Sequence, residues 1–124
     1  NAKAKELGLT HTLFYDPSGL DAHTVTTPRE MAVIAAEAFA QPKVLEADTQ
    51  SGYQFQTQNS PSRTITVADR NYSLQQFAPD ASKTGFLVEA QRCVSLKKGS
   101  DIVVVMHARS MKERNTILQQ LLEN

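Results

Sequence analysis

The sequence predicts an α/β chain of the α+β kind, antiparallel strands packed against helices, and three patterns predict it. Two segments carry apolar stripes at helical spacing behind capping boxes, Thr27-Pro28-Arg29-Glu30 and Ser110-Met111-Lys112-Glu113. Between them, residues 53–67 alternate apolar with polar side chains around a turn, the mark of a half-buried hairpin. Residues 84–106 repeat the pattern around KKGSD and end in a continuous apolar run. At 124 residues the chain is about the size of one domain, with neither an internal repeat nor a low-complexity segment.

Taken in order, NAKAKEL at residues 1–7 consists of good helix formers stopped by Gly8. FYDPSGLD, residues 14–21, sets Asp-Pro beside Ser-Gly, consecutive turn signals that read as an ordered loop. At the first capping box the Thr27 oxygen serves the N3 amide, Glu30 is expected to reach back, and Pro28 stands at N1 where its missing N–H costs nothing. Met31, Ile34, Ala35, Ala38 and Phe39 then form one stripe, and the helix is expected to end near Gln41-Pro42. Tyr53, Phe55 and Thr57 alternate with Gln54, Gln56 and Gln58 before NSPS turns the chain toward Ile65 and Val67. That is a two-stranded ribbon with one wet face.

DRNYSLQQFAPDAS, residues 69–82, is polar and without clear periodicity, and is expected to be a loop of the functional kind. From Thr84 to Met106 two strands are expected, with Val94 and Leu96 before the KKGSD turn and Ile102–Met106 after it. The unbroken apolar character of the second predicts burial on both faces. Ile117, Leu118, Leu121 and Leu122 give the last helix the stripe that packs on the sheet.

Composition narrows the function. With 40% apolar and 21% charged residues, and 13 basic against 13 acidic side chains, the chain reads as globular and gives no support to a nucleic-acid or membrane-surface role. No apolar run, Ile102–Met106 included, approaches the roughly 20 residues of a membrane span. No signal-peptide pattern follows Asn1, so any leader or upstream segment is expected to lie outside these residues. Cys93, the lone cysteine, cannot form an intrachain disulfide and reads as a small core residue of a strand. His11, His23 and His107 have no partner at metal-ligand spacing, so neither a metal nor another cofactor is expected. Tyr53, Phe55 and Tyr72 are too sparsely flanked by positive charge to form a base-stacking platform.

One short motif carries chemistry. Lys83-Thr84-Gly85, followed by Phe86, reads either as a polar turn or as a site motif, and the bare triplet cannot choose between them. Its context can. The order NAKAKELGLT, FYDPSGLD, TTPREMAVIAAEAF, DRNYSL, SKTGF, a Cys-Val strand, an apolar strand and an Arg-bearing last helix resembles the C-terminal half of the catalytic domain of serine D-alanyl-D-alanine carboxypeptidases. These are low-molecular-weight penicillin-binding proteins of the S11 peptidase family, with a β-lactamase/transpeptidase-like fold. The likeness covers nearly all of residues 1–124, which are therefore expected to be half of one such domain, with the nucleophile-bearing N-terminal half absent.

That family builds its site from a Ser-x-x-Lys, a Ser-x-Asn and a Lys-Thr-Gly on an edge strand, and the resemblance places only the third in this chain. It implies that Lys83 adds positive potential near the upstream serines and that the Thr84 hydroxyl donates to the substrate carboxylate. Gly85 would let the ligand approach the strand, and the Phe86 N–H would donate to the oxyanion. Arg114 falls where the family carries an arginine supporting carboxylate recognition, and reads equally as a solvated helix charge. Arg29 and Arg70 read as structural or exposed. Ser95-Leu96-Lys97-Lys98 is a literal Ser-x-x-Lys, but inside a predicted strand its lysine cannot fold onto its serine as on a helix.

The implied function is removal of the terminal D-alanine from peptidoglycan stem peptides through an acyl-serine, in the periplasm or another extracytoplasmic part of the cell envelope. β-Lactams are the implied ligands of the complete domain, and this chain alone is expected to be inactive and prone to self-association. Leu87 and Gln91 stand where a threonine and a later glycine are usual, and Ala81 where a glycine is common. Those departures suit an alternative, a non-catalytic module binding peptidoglycan or protein. A class A β-lactamase fragment is a third reading, favoured by TTPREMA and disfavoured by FYDPSGLD.

Overall fold

The computed structural model describes residues 1–123, apart from the side chains of Tyr72, Leu74 and Gln75. The expectation that Tyr72 is no part of a base-stacking platform therefore lies outside the described side chains. Helix α1 (Ala2–Glu6) leads through the 8–27 loop to α2 (Pro28–Phe39) and α3 (Pro42–Asp48). The ribbon β1 (Gly52–Gln56) and β2 (Thr64–Ala68) follows, and α4 (Tyr72–Phe77) precedes the sheet strands β3 (Ala81–Leu87), β4 (Gln91–Lys98) and β5 (Asp101–Ala108). Helix α5 (Met111–Leu122) comes last. The three-stranded sheet is antiparallel in the order β3-β4-β5, with β1 and β2 forming a separate antiparallel pair.

Strand register divides the sheet into two faces, because directly opposed residues point the same way. Val94 and Val105, and Leu96 and Val103, are opposed pairs, and with Ala108 they pack under Leu118 of α5. On the other face Ala81 and Ile102 meet Ala35 and Phe39 of α2 and Val44 of α3. The sheet is thus covered by α5 on one side and by α2 with α3 on the other. Val103 and Val105 are buried, whereas Ile102, Val104 and Met106 are half-buried, so burial of β5 on both faces is realised on one only. The buried apolar residues that α2 offers this second face are Ala35 and Phe39.

Both capping boxes form half of the expected pattern. Thr27 Oγ1 accepts from the Glu30 N–H at 3.2 Å and Ser110 Oγ from the Glu113 N–H at 3.0 Å. Neither glutamate reaches back to its cap residue. Glu113 accepts instead from the Arg109 N–H, one residue earlier, and from its guanidinium. Glu30 turns to the loop and accepts from the backbone N–H groups of Thr10 and His11 and, at 2.5 Å, from the Thr12 hydroxyl. The carboxylate gathers two backbone N–H groups and a hydroxyl on the loop, more donors than the single cap N–H offers, so tertiary contact outcompetes the local cap.

Three expectations are revised. Pro42 does not simply end a helix; it sits at N1 of α3, a position proline also favours. The polar 69–82 stretch contains α4, capped by Asn71, whose Oδ1 accepts from the Ser73 N–H at 3.1 Å. Finally, the segment ahead of KKGSD is two strands. It breaks at Val88–Ala90, a turn without glycine or proline, closed by the Gln91 side chain donating to the Val88 carbonyl while Gln91 takes a positive φ of 55°. The KKGSD turn itself behaves as predicted, with Gly99 at φ 60°.

Candidate functional site

Strand β3 lies at one end of the sheet, so its outer edge has no strand partner among the described residues. Ala81 and Ser82 are buried and anchor its start, while from Lys83 onward the strand emerges at the surface. Asn71 fixes this point: its Nδ2 donates to Ser82 Oγ at 2.6 Å and to the Ser82 carbonyl at 3.1 Å. The cap of α4 therefore also clamps the strand one residue before Lys83. Its signal in the sequence is an Asn at the start of a short run of residues compatible with helix, which polarity obscures.

Lys83 and Thr84 form one wall of an open groove of about 630 Å³. Its other walls come from α3, from the near end of the ribbon, including Tyr53 and Val67, and from Asp69 and Asn71. Lys83 is exposed and its Nζ donates to the Thr84 carbonyl. Register places Lys83 opposite Ser95 and Thr84 opposite Val94, so the two side chains leave the strand on opposite faces and meet the groove around its free edge. A Cβ built on Gly85 would meet no atom within 4 Å, so nothing inside the chain demands glycine at that position. Phe86, 53% exposed, lies beneath the Arg92 guanidinium, 4.4 Å from the ring centroid. That cation–π contact fixes the strand just past the triplet.

Arg114 is neither solvated nor on the groove wall. It is only 4% exposed, and its guanidinium donates to Asn115 Oδ1 at 2.8 and 3.0 Å and reaches Ser73 Oγ at 3.5 Å. Burial holds its pKa below the usual arginine value, and nearby Arg92 adds to the effect. The structure therefore brings Lys83, Thr84, Gly85 and Phe86 together along one strand and leaves Arg114 behind them, on α5. Ser95 and Lys98 lie in one strand, three residues apart and hence on opposite faces, so they do not form a serine-lysine pair.

The remaining candidates are resolved by tertiary contact. His11 Nδ1 meets Glu30 at 3.0 Å and His23 Nδ1 meets Asp21 at 2.7 Å, partners that sequence spacing hides in the first case and that lie two residues away in the second. The Thr12 hydroxyl and then His11 hold the Glu30 carboxyl below its usual value. Cys93 is half-buried, not a core residue; its Sγ points to the Ala90 carbonyl where β5 bulges opposite it. Asp48 is a site residue that sequence reasoning missed. It lines the groove near Lys83, and burial raises its pKa, with the positive charge of Lys83 opposing. Its signal was Pro42, read as a stop when it also starts the helix carrying Asp48.

Comparison with known proteins agrees with this geometry. The sequence model of the D-alanyl-D-alanine carboxypeptidase family, peptidase S11, matches residues 1–110. The D-alanyl-D-alanine carboxypeptidase DacF of Bacillus subtilis is 33% identical, over 99% of this chain and 33% of its own length. A D-alanyl-D-alanine endopeptidase of Escherichia coli is 28% identical over 78% of this chain and 32% of its own. Among solved structures, the Streptomyces K15 DD-transpeptidase superposes with a TM-score of 0.89 at 23% identity, covering 99% of this chain and 50% of that one. The penicillin-binding protein D2 of Listeria monocytogenes, solved in its cefotaxime-bound form, gives 0.77 at 26% identity over 99% and 51%. The chain thus spans about a third of the length of these curated relatives and about half of the solved chains. Its fold is that of the penicillin-binding transpeptidases, and by sequence the chain belongs to the D-alanyl-D-alanine carboxypeptidase family.

Proposed function

We propose that residues 1–124 are the C-terminal half of a penicillin-binding-type domain, and that they supply one wall of a serine D-Ala-D-Ala carboxypeptidase site. The observation that carries this reading is the triplet on a free strand edge, with Lys83 and Thr84 facing one groove and Gly85 unobstructed. An extended peptide can lie along such an edge as an added strand. The Thr84 hydroxyl then donates to its terminal carboxylate, Lys83 adds positive potential near the serines of the other half, and the Phe86 N–H donates to the oxyanion. Arg114 supports that carboxylate site from behind the sheet as a buried positive charge without an ion pair among the described residues.

The nucleophile comes from the half of the domain outside this chain. Its serine oxygen attacks the carbonyl of the penultimate D-alanine, the bond to the terminal D-alanine breaks, and the serine proton passes to the leaving amine. Water then releases the shortened peptide and restores the serine. The place of action is the cell envelope, and a β-lactam takes the peptide's position in the complete domain. The same missing half would cover the outer edge of β5, which has no strand partner among the described residues; alone, the chain is expected to self-associate there.

Intact mass after exposure to benzylpenicillin tests the reading. This chain gains no mass, whereas the domain completed by a polypeptide bearing Ser-x-x-Lys and Ser-x-Asn gains one acyl group, and Lys83→Ala or Thr84→Val slows that gain at least about tenfold. An adduct on the isolated chain, or acylation indifferent to both substitutions, overturns it.

A further inference from the structure

Strand β3 is paired along one edge only, by β4. Among the described residues, the hydrogen bonds that reach it from outside the sheet come from one side chain, Asn71, whose Nδ2 donates to both the hydroxyl and the carbonyl of Ser82. Asn71 is itself held on two sides, its N–H donating to Asp69 Oδ1 at 2.8 Å and its Oδ1 accepting from the Ser73 N–H at 3.1 Å. Capping alone does not call for asparagine here, since serine and aspartate cap as well. Only an amide offers an acceptor for the helix and donors for the strand on one short side chain.

Helix α4 carries this clamp further, to α5. Ser73 turns its Oγ to Arg114 Nη2 at 3.5 Å, and Gln76 Oε1 accepts from Asn115 Nδ2 at 2.6 Å. Asn115 in turn accepts from the Arg114 guanidinium. A continuous set of polar contacts therefore runs from Ser82, one residue before the triplet, through Asn71 and Ser73 to Arg114. Ser82, Ser73 and Arg114 are 2%, 0% and 4% exposed, so water has little access to replace a partner that is lost.

We infer that Asn71 is a positioning residue of the site. Its amide sets β3 at Ser82, and so sets the Lys83 ammonium, the Thr84 hydroxyl and the Phe86 N–H for acyl transfer, while its hold on α4 keeps Arg114 in register with them. Asn71 touches no reacting atom in this role; it acts through Ser82. What the positioning serves rests on the carboxypeptidase reading above, whereas the clamp itself rests on the hydrogen bonds of Asn71.

Two variants test it: Asn71→Ser, which keeps a capping oxygen but is too short to reach Ser82, and Ser82→Ala, which removes one of the two acceptors. Both are made in the domain completed by a polypeptide bearing Ser-x-x-Lys and Ser-x-Asn. Amide NMR shifts of Lys83, Thr84 and Gly85 read the clamp, and the rate and stoichiometry of benzylpenicillin acylation read the site. Asn71→Ser is expected to move those shifts and to slow the limiting acylation rate at least about tenfold, at unchanged final stoichiometry and with a smaller change in half-saturating concentration, since misplaced groups cost the transition state most. Ser82→Ala should slow acylation less, because the carbonyl contact remains, and should add almost nothing in the Asn71→Ser background. A purely structural role would instead lower the fraction of domain acylated and leave the rate of the remainder as in the parent. That result, unmoved triplet shifts, or additive effects of the two substitutions overturns the inference. Moved shifts in a domain whose acylation is indifferent to Lys83→Ala and Thr84→Val leave the clamp standing and refute the carboxypeptidase reading; slowing by those two substitutions but not by Asn71→Ser does the reverse.

Discussion

The β3–β5 sheet and the β1–β2 ribbon are built from the same kind of sequence, alternating strands in antiparallel register, yet end in opposite environments. In the sheet Val94 and Leu96 are 1% and 0% exposed; in the ribbon every residue of β1 is exposed. What differs is the cover. Leu118 and Leu122 of α5 return over Val94, Leu96, Val103 and Val105, and no described element returns over Tyr53 and Phe55. Alternation decides which face of a strand is apolar, while burial depends on what the rest of the chain places against it. Strand β3 belongs to both environments, anchored at Ala81 and Ser82 and open from Lys83 onward. A site wall needs that combination, a fixed backbone with a free edge.

Substitutions should expose the contrast. Leu118→Ala, at a fully buried position between α5 and the sheet, is expected to cost roughly 2–5 kcal/mol in denaturant unfolding through lost burial and a cavity. A cost like that of a surface change would show that α5 does not hold the sheet.

Glu30→Gln should have the next largest effect, since one amide oxygen cannot accept from all the loop donors that meet the carboxylate. Hydrogen exchange at Thr10–Thr12 should quicken and the melting temperature fall. Because the folded Glu30 pKa is depressed, its contribution is present above the unfolded value of about 4.3 and is lost as pH falls through the lower folded value. The variant and the parent should therefore converge in stability in strong acid; a gap unchanged by pH would assign the effect to packing alone.

Phe55→Ser on the ribbon should be the mildest, under about 1 kcal/mol, since only a cross-strand contact and an exposed ring are lost. A loss as large as that from Leu118→Ala would reveal a cover over the ribbon in solution.

Much of the fold was legible because its signals are local. Thr27 and Ser110 cap as their spacing predicts, Ala35 and Phe39 of the α2 stripe and Leu118 and Leu122 of the α5 stripe meet the sheet while Ile117 and Leu121 stay exposed, and Gly99 turns β4 into β5. The misses were places where one residue serves two elements or where a turn lacks its usual residues. Pro42 both follows α2 and starts α3, and the Val88–Ala90 turn carries neither glycine nor proline. The site was legible only along one strand. Lys83 to Phe86 are contiguous in sequence and so could be found together, whereas Asp48, Tyr53, Asn71 and Val67 join them only through folding.

By itself the sequence determined the helix caps, the apolar faces of the strands, the triplet and its family context. These depend on side-chain periodicity, hydrogen-bonding residues near chain turns and the order of motifs, all carried within short spans. The tertiary structure decided that Glu30 abandons its cap for the 10–12 loop, that Arg114 is buried behind the sheet, and that the ribbon's apolar face borders the triplet's groove. Each of those outcomes is a choice among partners distant in sequence, settled by which buried donor, charge or surface lacked a better one.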